Sequence, residues 1–386
     1  MTVFAVDDLL STAKDRTGLS DFGPGDFMEG LHVLVNGINK SGLIRQDRQD
    51  ALRERFLNIL VNRLWFAKDL AHHPEIEDEE IRSPVIIASL PRTGSTKLQR
   101  FLGASDDFQV LRLWSVSRFA RIPGMADGGR AERIRQTYDY EKWMYSVSPD
   151  IAKWHPMHAE EPEEDCFLME AAFRDVLNAG VTGAADFMEW LDRADRQPAF
   201  DYFIKAIKYL QWQFPSDRHK PWLFKNPFHL GAEARITGLY DKPRFIITHR
   251  DPVKCMPSVT HTMMAVRKMY SHVDTSQNVA SEMLDACSRQ VADHMAWRDS
   301  NPDVPILDLS FREVTQGGAA VTRKIYDFLE MDLSQASQAN IQAWEARNPR
   351  DKHGRTSYST QEIGMSDADI RSAFAAYTER FSAYMA

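Results

Sequence analysis

Pro84-Val85-Ile86-Ile87-Ala88-Ser89-Leu90-Pro91-Arg92-Thr93-Gly94-Ser95-Thr96 carries a strand, a turn and the start of a helix in thirteen residues. The run from Pro84 to Leu90 is apolar without alternation, the pattern of a strand buried on both faces of a parallel sheet. Pro91 and Gly94 break it, and a cation and three hydroxyl residues crowd the break. Lys97-Leu98-Gln99-Arg100-Phe101-Leu102 then reads as the first turns of a helix. A buried strand, a tight turn and a helix N-terminus form an anion site, because unpaired N–H groups and the helix dipole point at the same spot. The spacing is not the G-x-x-x-x-G-K-[ST] of an ATP loop. Taken alone, the segment also fits an ordinary strand-to-helix turn, since Thr, Ser and Gly all suit helix starts.

A second segment shifts that balance. Phe245-Ile246-Ile247-Thr248-His249-Arg250-Asp251-Pro252 is again a β-branched apolar run that ends in a cation and a Pro. Ser258 follows Arg250 by eight positions, on what should be the next helix. Two strand ends that each offer cations and hydroxyls suit a ligand with two separated phosphates.

On these residues the chain resembles the sulfotransferases that use 3′-phosphoadenosine-5′-phosphosulfate (PAPS). Pro91-Arg92-Thr93-Gly94-Ser95-Thr96 is similar to that family's P-[KR]-[ST]-G-[ST]-T loop. The resemblance implies that Arg92, Thr93, Gly94, Ser95 and Thr96 hold the 5′-phosphosulfate, and that Arg250 and Ser258 hold the 3′-phosphate. Lys225-Asn226-Pro227, within Trp222 to Leu230, resembles the family's K-x-P segment, whose Lys contributes to catalysis in some branches. Asn348 to Arg355 resembles a C-terminal basic-Gly loop that closes over the nucleotide, which would add Lys352, His353 and Gly354 to the cofactor site. The similarity runs from about Pro84 to the C-terminus. It implies a P-loop NTPase-like α/β fold, with a central parallel sheet flanked by helices on both faces. Two features depart from the family. The loop cation is Arg92 rather than the common Lys. No acid stands about twenty residues after the loop, where some branches keep a catalytic Glu and this chain reads Val110-Leu111-Arg112-Leu113-Trp114-Ser115.

Composition narrows the function classes. A net charge of −8 opposes a nucleic-acid surface, which needs a basic field. Three scattered Cys without a C-x-x-C pattern suit a reducing cytoplasm, and no segment approaches the length of a membrane span. A cytoplasmic enzyme with a small-molecule or lipid-like hydroxyl acceptor is the expectation. The 386 residues divide into a helical N-terminal cap over 1–80 and an α/β domain over 81–386. In the cap, Leu52, Phe56, Ile59, Leu60 and Leu64 repeat at helical spacing; plain packing explains them, and a share in the acceptor pocket is the alternative. Strands are expected at 84–90, 221–224, 245–248 and 304–309, and helices at 48–72, 131–145, 164–173, 200–214, 230–240 and 319–329.

Sulfuryl transfer resembles phosphoryl transfer, in that positioning and charge stabilisation supply most of the catalysis. The sulfuryl group carries less charge than a phosphoryl group, so fixed cations can replace a metal. Arg92 and Lys225 are therefore expected near the bridging oxygen. The acceptor hydroxyl needs a base, and the segment from His155 to Asp165 holds five acids and two His. His158 and Glu164 are the candidates for the base or for placing the acceptor. Most of that segment also fits a solvated acidic loop before a helix start. His155-x-x-His158 lacks a third metal ligand at recognisable spacing, so no metal is expected. His249-Arg250-Asp251 imitates a kinase loop, but the Asn that should follow is Met256 and no D-F-G occurs. Two readings stand beside the leading one: a kinase or other phosphoryl transferase with an atypical loop, and a non-catalytic nucleotide-binding protein.

Overall fold

In the computed structural model, which describes residues 3–24, 26–272, 276–349 and 359–385, the apolar run of the first loop segment becomes the strand Val85–Ile87 (β1). It lies at the centre of a sheet with Gln109–Val110 (β2), Trp222–Lys225 (β3), Arg244–His249 (β4) and Ile306–Ser310 (β5). The order is β2-β3-β1-β4-β5 and every pair is parallel. Ile87 is level with Lys225 on one side and Ile246 on the other. Parallel strands need crossovers, and the intervening helices bury both faces of the sheet.

The alternation along β1 sorts the two faces. Val85 and Ile87 join Leu98, Phe101 and Leu102 of the next helix, with Val321, Ile325, Ile341 and Trp344 from helices late in the chain. Ile86 and Ala88 face the other way, into a larger cluster that contains Phe203, Phe224, Phe245 and Ile247. The N-terminal helices Val6–Thr17 (α1), Phe27–Ser41 (α2) and Gln49–His72 (α3) bury Leu9, Leu31, Leu34, Phe56 and Leu60 in that same cluster. Arg63 of α3 is wholly buried. Its guanidinium lies 3.9 Å from the centre of the Phe27 ring and donates to the carbonyls of Phe22, Pro24 and Ala171. The bond to Ala171 fastens α3 to the segment that follows Glu164, and the other two fasten it to the turn before α2. Among the described residues no helix is long and apolar enough to cross a membrane.

Two local expectations change. The strand expected over 84–90 stops at Ile87, because Ser89 turns its hydroxyl to accept the Thr248 N–H at 2.8 Å and so begins the loop. The helix expected over 164–173 shrinks to Cys166–Met169 and a 3₁₀ turn at Glu170–Ala172. Residues 163–165 are held instead by neighbouring strand ends. The two-residue β2 and the long helix Ser276–Ser300 carry no marked sequence signal, and neither was anticipated.

Candidate active site

Ligands in open parallel sheets bind beyond the carboxyl ends of the strands, where the chain leaves a central strand toward opposite sides. Here that place is the end of β1. From β1 the chain runs through the helix Ser95–Ala104 (α4) to β2 at one edge, while β4 lies on the other side. The loop 88–94 thus emerges between Lys225 and the end of β4.

The loop's backbone is set by two residues in left-handed conformation, Arg92 at φ 71° and Gly94 at φ 94°. Gly94 precedes the first turn of α4, and no side chain caps that helix. The first N–H groups of a helix lack partners within it, so an anion is their natural acceptor. A Cβ at Gly94 would lie 3.3 Å from Val314 and 3.4 Å from Phe311. We expect Gly94→Ala to lose about 1–3 kcal/mol, the usual cost of a residue forced into that backbone region. A lowered melting temperature together with weaker anion binding checks this; an unchanged melting temperature contradicts it.

Thr93 is wholly buried. Its hydroxyl donates to Leu90 O at 2.7 Å and lies 2.7 Å from Thr248 Oγ1, so it ties the loop to β4. Arg92 Nε donates to Ser258 Oγ at 2.8 Å, and Arg250 Nη1 donates to Arg92 O at 2.9 Å. The Arg250 guanidinium stacks 4.0 Å from the Phe311 ring centre. Arg92, read from sequence at one end of the site, is therefore in direct contact with Arg250 and with Ser258 from the other. Burial pushes the nearby Cys255 thiol up to about 12, against the opposing pull of Arg250 and Arg92. Two guanidiniums on one patch make a field that favours an anion.

The end of β4 is held by a buried network. His249 lies 2.9 Å from Asp308 Oδ1 and 2.8 Å from Tyr377 Oη, and Arg298 grips Asp308 with both Nη atoms at 2.8 and 2.5 Å. Burial opposes the charge on Asp308, yet Arg298 and His249 hold its carboxyl well below the usual carboxylate range. Burial lowers His249 despite its acidic partner. The imitation of a kinase loop is thus a structural clamp just before Arg250.

Across the loop, Lys225 Nζ donates to Thr96 Oγ1 at 3.1 Å and forms a short ion pair with Glu164. Lys225 is buried, so its charge acts with little solvent screening. Glu164 is delivered by its neighbour. Asp165 accepts from Asn226 Nδ2 at 2.8 Å and lies 2.7 Å from His229 Nε2, which pins residues 163–165 to the end of β3. The same segment runs antiparallel to the stretch after β2. Leu113 N donates to Glu161 O, Glu163 N to Leu111 O, and Arg112 bridges Pro162. That pairing sets the carboxylates of residues 163 and 164 beside the stretch 111–113.

Glu163, buried at its carboxyl, lies 3.1 Å from His155 Nε2 and accepts the Glu164 N–H at 3.0 Å. Burial alone would raise the Glu163 carboxyl; His155, Arg100 and Lys225 outweigh it and hold it well below the usual range. Ligand atoms of His155, Glu163 and Glu164 lie within 4.8 Å of one another. His158 stands apart. Its Nδ1 lies 3.0 Å from Glu141 Oε1 on the helix Arg130–Val147, and 42% of its side chain is exposed. Lys352, His353 and Gly354 lie outside the described residues. Sequence reading passed over His155 and Glu163 because they sit inside a charge run, and Phe311 because nothing local marks it.

A cavity of about 550 Å³ is walled by α3, the helix Leu113–Ser117, the helix Arg130–Val147 and residues 167–171. Trp143 and Phe167 line it, while Trp114, Trp154 and Phe173 are core and Trp212 faces a separate groove. An Arg55–Glu170 ion pair and Tyr270 place polar groups in its wall.

Comparison with known proteins supplies the context. The model of a family described as the sulfotransferase family matches residues 84–335. The structure is similar to that of the sulfotransferase STF9 from Mycobacterium avium, with a TM-score of 0.83 and 22% identity over 99% of this chain and 97% of that one. It is also similar to the sulfotransferase STF1 from Mycobacterium tuberculosis H37Rv, with a TM-score of 0.78 and 23% identity over 97% of this chain and 99% of that one. No curated protein matches the sequence.

Proposed function

The chain belongs to the sulfotransferase family, and we propose that it transfers a sulfuryl group from PAPS to a hydroxyl of a small or lipid-like acceptor, in line and without a metal. The observation that carries this reading is the meeting of Arg92, Arg250 and Ser258 beside an uncapped helix start, with Lys225 bonded to Thr96 on the other side of the loop. PAPS supplies the activated sulfuryl group and a 3′-phosphate that ATP lacks. Backbone N–H groups at Gly94, Ser95 and Thr96 receive the 5′-phosphate. Arg250 and Ser258 take the 3′-phosphate with charge-assisted bonds. Lys225 and Arg92 stabilise charge that develops on the bridging oxygen. Glu164 orients Lys225 and borders the acceptor.

We place the acceptor in the aromatic cavity that Phe167 lines, three residues after Glu164. On this reading α3 serves as a pocket wall as well as a packing element, and residues 1–80 form a cap over the α/β domain. His158, exposed and paired with Glu141, fits acceptor positioning at the rim better than proton transfer.

Calorimetry with adenosine 3′,5′-bisphosphate, AMP and ATP, each with and without Mg²⁺, tests the proposal. The expected order is bisphosphate tightest, with no Mg²⁺ requirement. A preference for ATP with Mg²⁺ would instead establish the phosphoryl-transfer alternative. Tight bisphosphate binding with no consumption of PAPS for any acceptor would establish a non-catalytic binding protein.

A further inference from the structure

We infer that the acceptor is an amphipathic hydroxy acid whose carboxylate is held by Arg118 in the aromatic cavity; this rests on the sulfuryl-transfer reading above. The cavity of about 550 Å³ is lined by Trp65, Tyr140, Trp143, Phe167 and Tyr270, a surface that suits an apolar body. A few polar groups set into such a wall fix a ligand's orientation. Here they include the cations Arg16, Arg55 and Arg118 and the acids Glu54, Asp139 and Glu170.

Their pairing leaves one cation over. Arg16 Nη2 lies 2.7 Å from Glu54 Oε1 at the exposed rim. Arg55 is ion-paired to Glu170 in the buried wall. Asp139 is taken by Arg135, at 2.6 Å, from outside the lining. Arg118 makes no ion pair among the described residues; its Nη1 donates to the amide oxygen of Asn58 at 2.5 Å. A guanidinium carries five N–H donors in a planar fork, so most of the fork is left for a ligand. Glu132 and Asp139 act on Arg118 from further off, and Arg135 already bonds to both. Burial lowers Arg118 from the ordinary arginine value, so its charge gains from an anion at its side.

The fold holds this cation in place with neutral partners. From α3, Asn58 and Asn62 lie one turn apart on the same face and clamp residues 117–120. Asn58 Nδ2 donates to Ser117 O at 2.9 Å, and Asn62 Oδ1 accepts the Ala120 N–H at 3.0 Å. From the other side the buried Arg133 donates to Arg118 O at 2.6 Å, to Phe119 O at 2.8 Å and to Gln213 Oε1 at 2.8 Å. A guanidinium fixed in this way is preorganised for the two oxygens of a carboxylate.

The position suits a ligand with two polar ends. Phe167 and Glu170 follow Glu164 by three and six residues, so their wall of the cavity starts beside the sulfuryl site. Arg118 belongs to a different wall. A hydroxyl at the Glu164 end and a carboxylate at Arg118 use both. A neutral acceptor of the same shape would strip water from Arg118 and leave its charge unmatched.

The test uses the full chain with PAPS and matched probes: a short and a long ω-(4-hydroxyphenyl)alkanoic acid, each beside its methyl ester. For the better-fitting length, kcat/KM for the acid should exceed that for the ester by about 10–10²-fold, the worth of a charge-assisted pair. The difference should lie in KM, because the contact is the same before and during transfer. Arg118→Gln should bring the acid-to-ester ratio to within about threefold of one, and Arg118→Lys should keep part of it. A general loosening of the fold lowers acid and ester alike and leaves the ratio standing. Should Arg118→Gln fail to fold, Asn58→Asp gives Arg118 a carboxylate in place of the amide and should cancel the preference with the guanidinium still present. Quenching of tryptophan fluorescence, with Trp65 and Trp143 in the wall, reads the same affinities without any transfer. An acid bound no better than its ester by the wild type overturns the proposal. So does a preference that survives Arg118→Gln, and so does failure of both acids to bind. Arg118-dependent binding of the acid by a chain that never consumes PAPS would uphold the carboxylate site and defeat the sulfuryl-transfer reading instead.

Discussion

Lys225→Met lowers sulfuryl transfer by about 10²–10³-fold while adenosine 3′,5′-bisphosphate binding stays within a few-fold of wild type. The magnitude follows from the loss of one preorganised donor at developing charge. The asymmetry follows from timing, since in the proposed reaction Lys225 would meet charge that appears on the bridging oxygen only as the sulfuryl group departs. The substitution has a second consequence. Lys225 is the ion-pair partner of Glu164, whose side chain is only 14% exposed. Removing one member of a buried pair costs about 3–5 kcal/mol, because the other is left charged and unmatched. Lys225→Met should therefore also lower the melting temperature. Adding Glu164→Gln should restore much of the stability and none of the activity. Single-turnover rates and thermal melts of the wild type, the single and the double variant check both parts. Activity that recovers along with stability would make Lys225 a structural residue.

Arg250→Ala weakens binding of the bisphosphate by about 10²-fold, the equivalent of one or two charge-assisted hydrogen bonds. AMP, which has no 3′-phosphate, should lose less than about threefold. The contrast matters because Arg250 also serves the fold, through its bond to Arg92 O and its stacking on Phe311. A structural loss would disturb the loop and weaken both ligands alike. Calorimetry on the two ligands decides the point, and equal losses would take Arg250 away from the 3′-phosphate. Salt should narrow the difference, since the lost interaction is between charges at the mouth of the site.

These two residues were legible without coordinates for a common reason. Arg250 and Lys225 each follow a short run of β-branched or aromatic residues, and a buried strand is the element that such a run most readily specifies. A cation at the end of that run lands at the carboxyl edge of the sheet, where ligands gather. The two edges meet because β1 lies between β3 and β4. The helix expected over 164–173 came out shorter for the opposite reason. Its amphipathic spacing was real, but Asp165 found better partners in Asn226 and His229 at the end of β3, and the helix begins only at Cys166. Tertiary hydrogen bonds to a buried carboxylate outweigh the few tenths of a kcal/mol per residue that helix propensity supplies.

The chain's linear pattern was enough for the parallel sheet, the loop from Arg92 to Thr96 and the convergence of Arg250 and Ser258 on that loop. Each is written in neighbouring residues, and local sterics and burial turn such writing directly into backbone. Which partners the acids and histidines of the 155–165 run take was decided only by the fold. A charged side chain's role depends on what it is buried against, and that came from distant segments: residues 111–113 along one side, β3 at the end, and Arg100 behind Glu163. Two carboxylates adjacent in sequence, Glu163 and Glu164, thereby face different partners, one an imidazole and the other an ammonium.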